Sequence, residues 1–204
     1  LMERTKNRPL AANRMKVSEA VLFAGISMVV GIGCLAMINP LTAFLGTLSL
    51  ILYAFVYTPL KRYSTISVAV GAIPGALPVL IGTTAFEGSL SILGLTLFGI
   101  QFLWQFPHFW AIGWLSFEDY KKAGYKLLPI NEEGNIDENI GLYSGIYAFL
   151  LIPVCLFGML GDNRIGIMAF GFSTVLNLAY FIFCVRLQKN KDRKSARGLM
   201  FSSF

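Results

Sequence analysis

Long apolar runs constrain this chain more than any other feature of its sequence. A hydrocarbon core about 30 Å thick takes roughly 20 helical residues to cross. The runs that approach this length are residues 20–38, 41–57, 66–86, 90–115, 141–160 and 166–185, and a further run begins near Leu199. Backbone groups in lipid must be hydrogen-bonded within their own segment, and the runs are longer than barrel strands. The predicted fold class is therefore an all-α, polytopic transmembrane helical bundle with six complete spans and a partial seventh.

The composition also indicates a membrane protein rather than a soluble one. Of the 204 residues, 55% are apolar and 14% are charged, and the mean hydropathy is +0.64. Cys34, Cys155 and Cys184 fall in separate predicted spans without metal-ligand spacing, so buried apolar packing is expected for each. The chain opens at Leu1 without an initiator methionine and stops at Phe204 inside an apolar run. We therefore expect residues 1–204 to be one transmembrane domain that is truncated at both ends.

The distribution of Lys and Arg predicts the orientation in the bilayer. Alternate loops hold 16 of the 17 cations, and Arg164 is the one cation on the opposite side. The positive-inside rule makes the basic loops cytoplasmic. Because topology accounts for the net charge of +6, the lipid bilayer is the expected partner and nucleic acid is not.

Three polar clusters lie on the predicted cytoplasmic side, each beside a span. Two are cationic, and serve either as topology signals for anionic headgroups or as anion sites. The third contains carboxylates, which are either solvated loop charges or partners of a Mg²⁺ ion that also binds substrate phosphate. The clusters are Arg4-Thr5-Lys6-Asn7-Arg8-Pro9-Leu10, Tyr57-Thr58-Pro59-Leu60-Lys61-Arg62, and Glu118-Asp119-Tyr120-Lys121-Lys122-Ala123-Gly124-Tyr125-Lys126-Leu127-Leu128-Pro129.

The fourth predicted span carries a polar stripe. In one continuous helix, Gln101, Gln105, His108 and Asp119 would share a face. A polar stripe in a membrane helix faces the bundle interior or a cavity rather than lipid. His108 is the only histidine of the chain, and is either a hydrogen-bonded interior residue or a group that contacts haem or transfers a proton.

Glycines and prolines crowd the third predicted span, in the sequence Gly71-Ala72-Ile73-Pro74-Gly75-Ala76-Leu77-Pro78. Small residues four apart allow close helix packing, whereas prolines bend helices. The segment therefore indicates either close packing or a bent helix with a cavity beside it.

Together these features suit an amphipathic substrate with an anionic head and a long apolar tail, such as a prenyl diphosphate. Cations and Mg²⁺ would stabilise the departing diphosphate as charge develops on it. Aromatic faces would shelter the allylic cation, and a dry cavity would delay its capture by water.

Four motifs in the same order resemble the UbiA superfamily of intramembrane prenyltransferases, and the resemblance extends across all 204 residues. The third motif is similar to the haem-modifying branch of this family. The motifs are the two cationic clusters, Gln105-Phe106-Pro107-His108-Phe109-Trp110, and Asp119-Tyr120-x-x-Ala123-Gly124 with Leu128-Pro129.

The resemblance implies a nine-helix bundle in which two aspartate-rich loops hold Mg²⁺ and farnesyl diphosphate on the cytoplasmic side. It makes the six spans helices three to eight, and Asp119 the catalytic and metal-binding residue. The residues that it places near the diphosphate are Arg4, Lys6, Asn7, Arg8, Tyr57, Lys61, Arg62 and Lys122. Those that it places near haem or in the cavity are Gln101, Gln105, His108 and Tyr120.

The chain departs from the family pattern in the metal site. Ala123 stands where many family members have a second aspartate, as expected of the haem branch. The first aspartate-rich loop should lie just upstream of Leu1. We therefore expect the parent gene to supply two more helices and an Asn-Asp-x-x-Asp-like loop, and the 204 residues alone to be inactive.

The implied reaction transfers a farnesyl group from its diphosphate to a vinyl group of haem b, and water then supplies a hydroxyl to give haem O. The implied setting is a bacterial inner membrane, and haem A synthase or terminal oxidase assembly are the implied protein partners. Two alternatives stay open: prenylation of an aromatic quinone precursor, and a non-enzymatic transporter or scaffold.

Overall fold

In the computed structural model, residues 5–162 and 165–204 are described, and they are predominantly helical. Within these ranges there is no strand, only an isolated bridge between Ile130 and Ile136. The predicted all-α class is confirmed. The helices are α1 (Val17–Ala36), α2 (Pro40–Ile51), which continues through a π-helical segment (Leu52–Tyr57) into α3 (Thr58–Leu60), α4 (Ser67–Glu87), α5 (Ile92–Leu115), α6 (Phe117–Lys122), α7 (Ile140–Gly161), α8 (Ile167–Asn190) and α9 (Arg193–Ser202).

Five helical segments of the described ranges are long and apolar enough to cross a membrane: α1, the continuous Pro40–Leu60, α4, α7 and α8. The helix α5 has 24 residues, but its two glutamines and its histidine lower its hydropathy. Every predicted complete span thus corresponds to a helix of membrane-crossing length. The chain is a multi-pass membrane protein.

The predicted partial seventh span lies in α9, and this helix begins before the apolar run does. Leu199 lies well inside α9, which begins at Arg193. The carboxylate of Asp192 accepts a 2.7 Å hydrogen bond from the Ser195 amide and caps the helix. Hydropathy misses this start because the first turn of α9 is basic and polar.

The helix α5 lies at the centre of the bundle and packs against α4, α7 and α9. The other main helix pairs are α7 with α8, α8 with α9, and α2 with α4. By contrast α1 packs mainly on α2, and none of its residues is buried. Side chains such as Phe23 and Val29 are therefore exposed, as on a lipid-facing helix.

The peripheral position of α1 overturns one prediction about the cysteines. Cys155 and Cys184 are buried as expected, but Cys34 on α1 is exposed. Hydropathy shows that a side chain is apolar enough to leave water, but it does not distinguish a side chain that faces lipid from one that is buried in the protein core.

Close packing is confirmed for the glycine-rich helix α4, which runs through Pro74 and Pro78. A Cβ atom on Gly71 would lie 2.7 Å from Cδ2 of Tyr57, so only glycine leaves room for that ring. A Cβ atom on Gly75 would lie 3.0 Å from Cδ of Gln105. A cavity lies beside this face of α4, so both consequences inferred from the sequence, close approach and a cavity, occur together.

Candidate active site

Two adjoining cavities lie at the end of the bundle where α3 and α5 end and α4 begins. The first has a volume of about 560 Å³ and includes Arg8, Lys61 and Tyr125 in its wall. The second has a volume of about 400 Å³ and extends between α2, α4 and α5. Tyr57, Tyr120 and Leu127 line both cavities, so these side chains form the wall where a cavity that contains two cations meets a more apolar one.

Lys61 is the cation held most closely by the wall of the first cavity. Its Nζ lies 4.8 Å from the centre of the Tyr125 ring and 5.8 Å from that of Tyr57. Its carbonyl oxygen accepts a 2.7 Å hydrogen bond from the Lys126 amide, which ties the loop after α3 to the loop after α6. The aromatic faces favour the ammonium ion and keep it near the cavity.

The π-helical segment positions the tyrosines at the end of α2. The Thr58 hydroxyl donates a 2.8 Å hydrogen bond to the Tyr53 carbonyl, and the rings of Tyr53 and Tyr57 lie 5.4 Å apart. Segments of π-helix are uncommon and often occur at functional sites. This one places Tyr53 in the second cavity and Tyr57 in the wall of both.

Gln105 brings a fixed amide into the otherwise apolar second cavity. It is 3% exposed, and its Nε2 donates hydrogen bonds to the Ala72 carbonyl at 3.2 Å and the Gln101 carbonyl at 2.8 Å. The backbone of Gly75 packs directly against the same amide. The prediction that Gln105 faces a cavity is therefore met by the geometry, while the Gln101 side chain lines neither of the two cavities.

His108 lies on a different side of α5, toward α9. Its Nδ1 is 2.7 Å from the Ser203 hydroxyl, and its ring stacks on Trp104 at 4.9 Å and meets the edge of Phe204 at 5.4 Å. It lines neither of the two cavities. These contacts are those of a hydrogen-bonded interior histidine, and a haem contact stays a prediction.

The predicted common face is wrong for Asp119. The helix α5 ends at Leu115, and Ser116 leaves the helical region with φ −111° and ψ 18°. Asp119 therefore belongs to a separate short helix, α6, and the angle calculated for one continuous helix does not apply. Asp119 is half-buried and lines neither cavity, but it directly precedes Tyr120, which lines both.

The predicted diphosphate residues divide into two groups. Arg8, Tyr57 and Lys61 line the first cavity. The others that the structure describes are exposed and line neither cavity; they are Lys6, Asn7, Arg62 and Lys122. Arg4 lies outside the described residues.

The donor set fits a metal ion that is shared with a substrate. Among the described residues, no group of three or more His, Cys, Asp or Glu side chains could hold a metal ion. Mg²⁺ is commonly bound through one or two carboxylates plus substrate phosphates, and Asp119, which directly precedes the cavity-lining Tyr120, could act in this way. A site made of protein ligands alone does not fit these residues.

Sequence reasoning missed Tyr53 as part of the site, and it included Tyr125 and Leu127 in the third polar cluster without giving either a role. A usable signal existed for Tyr53, since it precedes Tyr57 by four residues and so shares its helical face. Tyr125 and Leu127 lie in a loop without periodicity. The hydrogen bond between Lys126 and Lys61 and the contact of Lys61 Nζ with the Tyr125 ring bring this loop to the cavities.

The described residues form a bundle of membrane-crossing helices in which a cavity with two cations and three tyrosines adjoins a more apolar one, an arrangement that suits an amphipathic anionic ligand. Residues 1–204 match the UbiA prenyltransferase family, and the chain belongs to this family.

Relatives with a named activity match the chain over its whole length. It is 45% identical over 210 residues to a protein named Protoheme IX farnesyltransferase from Christiangramia forsetii, with coverage of 100% of this chain and 68% of the relative. Its identity to a protein of the same name from Flavobacterium psychrophilum is 43% over 206 residues, with the same coverage. The human Protoheme IX farnesyltransferase, mitochondrial, is 36% identical over 203 residues, which are 99% of this chain and 45% of the relative. No solved structure matches the chain significantly.

Proposed function

We propose that the protein transfers the farnesyl group of farnesyl diphosphate to a vinyl group of haem b and so produces haem O. The observation that carries the proposal is the end-to-end similarity to proteins named Protoheme IX farnesyltransferase, at 36–45% identity. The two adjoining cavities support it, because the cations of the first and the mainly apolar lining of the second suit the two ends of a prenyl diphosphate.

In this proposal the diphosphate occupies the first cavity, beside Arg8 and Lys61. The bond between the first prenyl carbon and the diphosphate oxygen breaks, and the oxygen keeps the electron pair. Cations that stabilise the growing negative charge lower the barrier to this step. Mg²⁺ would add Lewis-acid stabilisation of the same charge, with Asp119 as the residue of this chain that holds the Mg²⁺-diphosphate. Asn7, Arg62 and Lys122 would contribute charge or hydrogen bonds from farther away.

The prenyl tail then lies in the second cavity, and its reacting carbon lies at the wall formed by Tyr57 and Tyr120. Aromatic faces stabilise a cation without capturing it. The vinyl group of haem b supplies the electrons for the new carbon–carbon bond. Water then adds to the resulting cation and releases a proton to the solvent, which leaves the hydroxyl. Diphosphate leaves as the second product.

The proposal includes the cellular setting. The 204 residues would be part of a single transmembrane domain in a bacterial inner membrane, with both cavities on the cytoplasmic side, as the basic loops predict. The upstream part of the parent protein would supply the first aspartate-rich loop for the metal ion. Haem A synthase or terminal oxidase assembly would use the product.

The test uses the full-length parent gene in bacterial membranes that lack their own haem O synthase. Extracted haems are analysed by mass for the native protein, for Asp119→Asn, and for Glu132→Gln as a control. Glu132 is an exposed acid that lines neither cavity, so its variant loses one charge without changing their walls. We expect farnesylated haem from the native protein and the control, and a loss of about 100-fold or more in Asp119→Asn.

Other outcomes would replace the proposal. Prenylated quinone precursors without any farnesylated haem would assign the site to an aromatic acceptor. Membranes that contain folded protein but form neither product would favour a transporter or scaffold, whose activity should survive Asp119→Asn and removal of Mg²⁺.

A further inference from the structure

The second cavity has a floor to which α2, α4 and α5 each contribute one residue. The helices α2 and α5 run toward the shared wall and α4 runs away from it, so the number of residues along each helix gives the depth of its lining residues below that wall. The deepest lining residue is Ser49 on α2, Gly75 on α4 and Gln105 on α5. Eight residues separate Tyr57 from Ser49, and at roughly 1.5 Å per residue this corresponds to about 12 Å.

The same depth follows from the other two helices. The shallowest lining residues are Val68 on α4 and Ile112 on α5. Each lies seven residues from the floor residue of its own helix, Gly75 and Gln105, which corresponds to about 10 Å. Three helices thus agree on an apolar space about 10 to 12 Å deep.

The floor is polar and held in place. Gln105 is 3% exposed and donates both of its amide hydrogen bonds to carbonyl oxygens, at 3.2 Å and 2.8 Å. The Ser49 hydroxyl donates to the Pro74 carbonyl at 3.4 Å. An apolar chain that displaced the Gln105 amide would leave buried polar groups without partners, which costs about 1–3 kcal/mol for each group.

The floor is also closely packed on the α4 side. A Cβ atom on Gly75 would lie 3.0 Å from Cδ and 3.2 Å from Nε2 of Gln105, and closer still to its Oε1. Gln105 therefore has no room to swing toward α4. The size of the side chain at either position sets how far the cavity extends.

We infer that Gln105 and Gly75 limit the length of the prenyl chain by forming the floor of the second cavity; the inference rests on the proposed farnesyl transfer. One isoprene unit adds four backbone bonds, which is about 5 Å in an extended chain. Three units that start at the level of Tyr57 reach the floor with modest bending. A fourth unit requires the Gln105 amide to move.

The first test is a competition between two prenyl donors. Membranes with the full-length protein receive haem b and equal amounts of farnesyl and geranylgeranyl diphosphate, and mass analysis gives the ratio of the two prenylated haems. Gln105→Ala is expected to raise the geranylgeranyl share by about tenfold or more, since one methylene alone changes discrimination by 10-fold to about 200-fold. Gln105→Met keeps the length of the side chain and should leave the ratio near that of the native protein.

The second test shortens the cavity. Gly75→Ala pushes the Gln105 amide into the space, so competition between geranyl and farnesyl diphosphate should shift toward geranyl by about tenfold or more. Gly82→Ala is the control, because Gly82 lies on the same helix with open space around it. Alanine has a higher helix propensity than glycine, so we expect both Gly75→Ala and Gly82→Ala to fold. The comparison of these two variants therefore remains informative even if Gln105→Ala fails to fold.

The outcomes separate this inference from the proposed function. A native protein that forms no prenylated haem overturns the function, whatever the variants do. If the native protein forms farnesylated haem but the donor ratios are unchanged in Gly75→Ala and in any Gln105→Ala that folds, then Gln105 and Gly75 do not limit the length of the prenyl chain. Loss of all donors in equal proportion in Gly75→Ala would also overturn the inference, since a length limit acts on the ratio.

Discussion

Replacing Gly71 by alanine tests whether close packing against Gly71 sets the position of the Tyr57 ring in the wall that both cavities share. The new Cβ atom would lie 2.7 Å and 2.8 Å from two ring carbons, whereas ordinary contacts begin near 3.4 Å. The ring must therefore retreat by about 0.7 Å, the difference between 3.4 and 2.7 Å. An aromatic ring cannot shorten as a flexible chain can, so the displacement reaches the shared wall of the cavities.

Two opposing effects set the size of the change in stability. Overpacking costs about 1–3 kcal/mol. The exchange of glycine for alanine within a helix returns up to about 1 kcal/mol. The net expectation for Gly71→Ala is a destabilisation of about 0–2 kcal/mol. Gly82→Ala, with nothing within 4 Å of the new Cβ, should be neutral or stabilising.

The effect on activity should be larger than the effect on stability. A shift near 1 Å in a group that positions the substrate can cost about 100-fold in rate. We expect the formation of farnesylated haem to fall by about 10- to 100-fold in Gly71→Ala, while Gly82→Ala keeps the native rate. The assay measures initial rates in membranes at matched protein amounts, together with thermal unfolding in detergent.

The result that refutes this reasoning is specific. If Gly71→Ala and Gly82→Ala show the same rate and the same unfolding temperature, then the position of Tyr57 does not depend on Gly71. A Gly71→Ala protein that is unstable but fully active would refute the role of the ring in the site and leave only its role in packing.

Two further predictions concern the charged groups. Lys61→Gln should raise the KM for farnesyl diphosphate by about tenfold, because Lys61 lines the first cavity near the rings of Tyr57 and Tyr125. Arg62 is exposed and lines neither cavity, so Arg62→Gln is the control and should change this KM much less. Equal effects of the two substitutions on KM in steady-state assays would contradict the assignment of Lys61. Hydrogen bonds from the Ser195 amide and hydroxyl hold the pKa of Asp192 below its ordinary value, so the cap should stabilise α9 at neutral pH and lose this effect as the pH falls below about 4. Hydrogen exchange of α9 should show this loss in the native protein but not in Asp192→Asn, whose cap does not titrate.

The sequence predicted the number and approximate extent of the membrane helices because hydropathy and length are strong signals. The predicted span 166–185 begins one residue before α8, and the helix continues beyond the span to Asn190 as its last turns become basic. Hydropathy could not detect the break at Ser116, since a change in two backbone angles leaves composition unaltered. That single break moved Asp119 to another helix and invalidated its calculated angle.

The candidate site was predictable as a set of segments and not as a set of contacts. The cationic cluster at Lys61 and the loop after Asp119 do meet near the cavities, through the Lys126 amide and the Lys61 carbonyl. In the second cationic cluster, charge alone could not distinguish Lys61 from Arg62, although Lys61 lines the first cavity and Arg62 does not. His108 and Gln105 are three residues apart, and a 60° difference in direction is enough to give them different neighbours.

The shared wall makes the two cavities interdependent. Tyr57 belongs to the π-helical segment and Tyr120 to α6, so a movement of either element changes the polar and the apolar space together. A diphosphate that draws Lys61 also bears on the Tyr57 ring, since the two are in contact, and Gly71 leaves that ring no room to move toward α4. Binding of the head should therefore fix the wall against which the first prenyl carbon lies. This coupling would align the reacting carbon before the diphosphate leaves, and so favour transfer over loss of the cation to water.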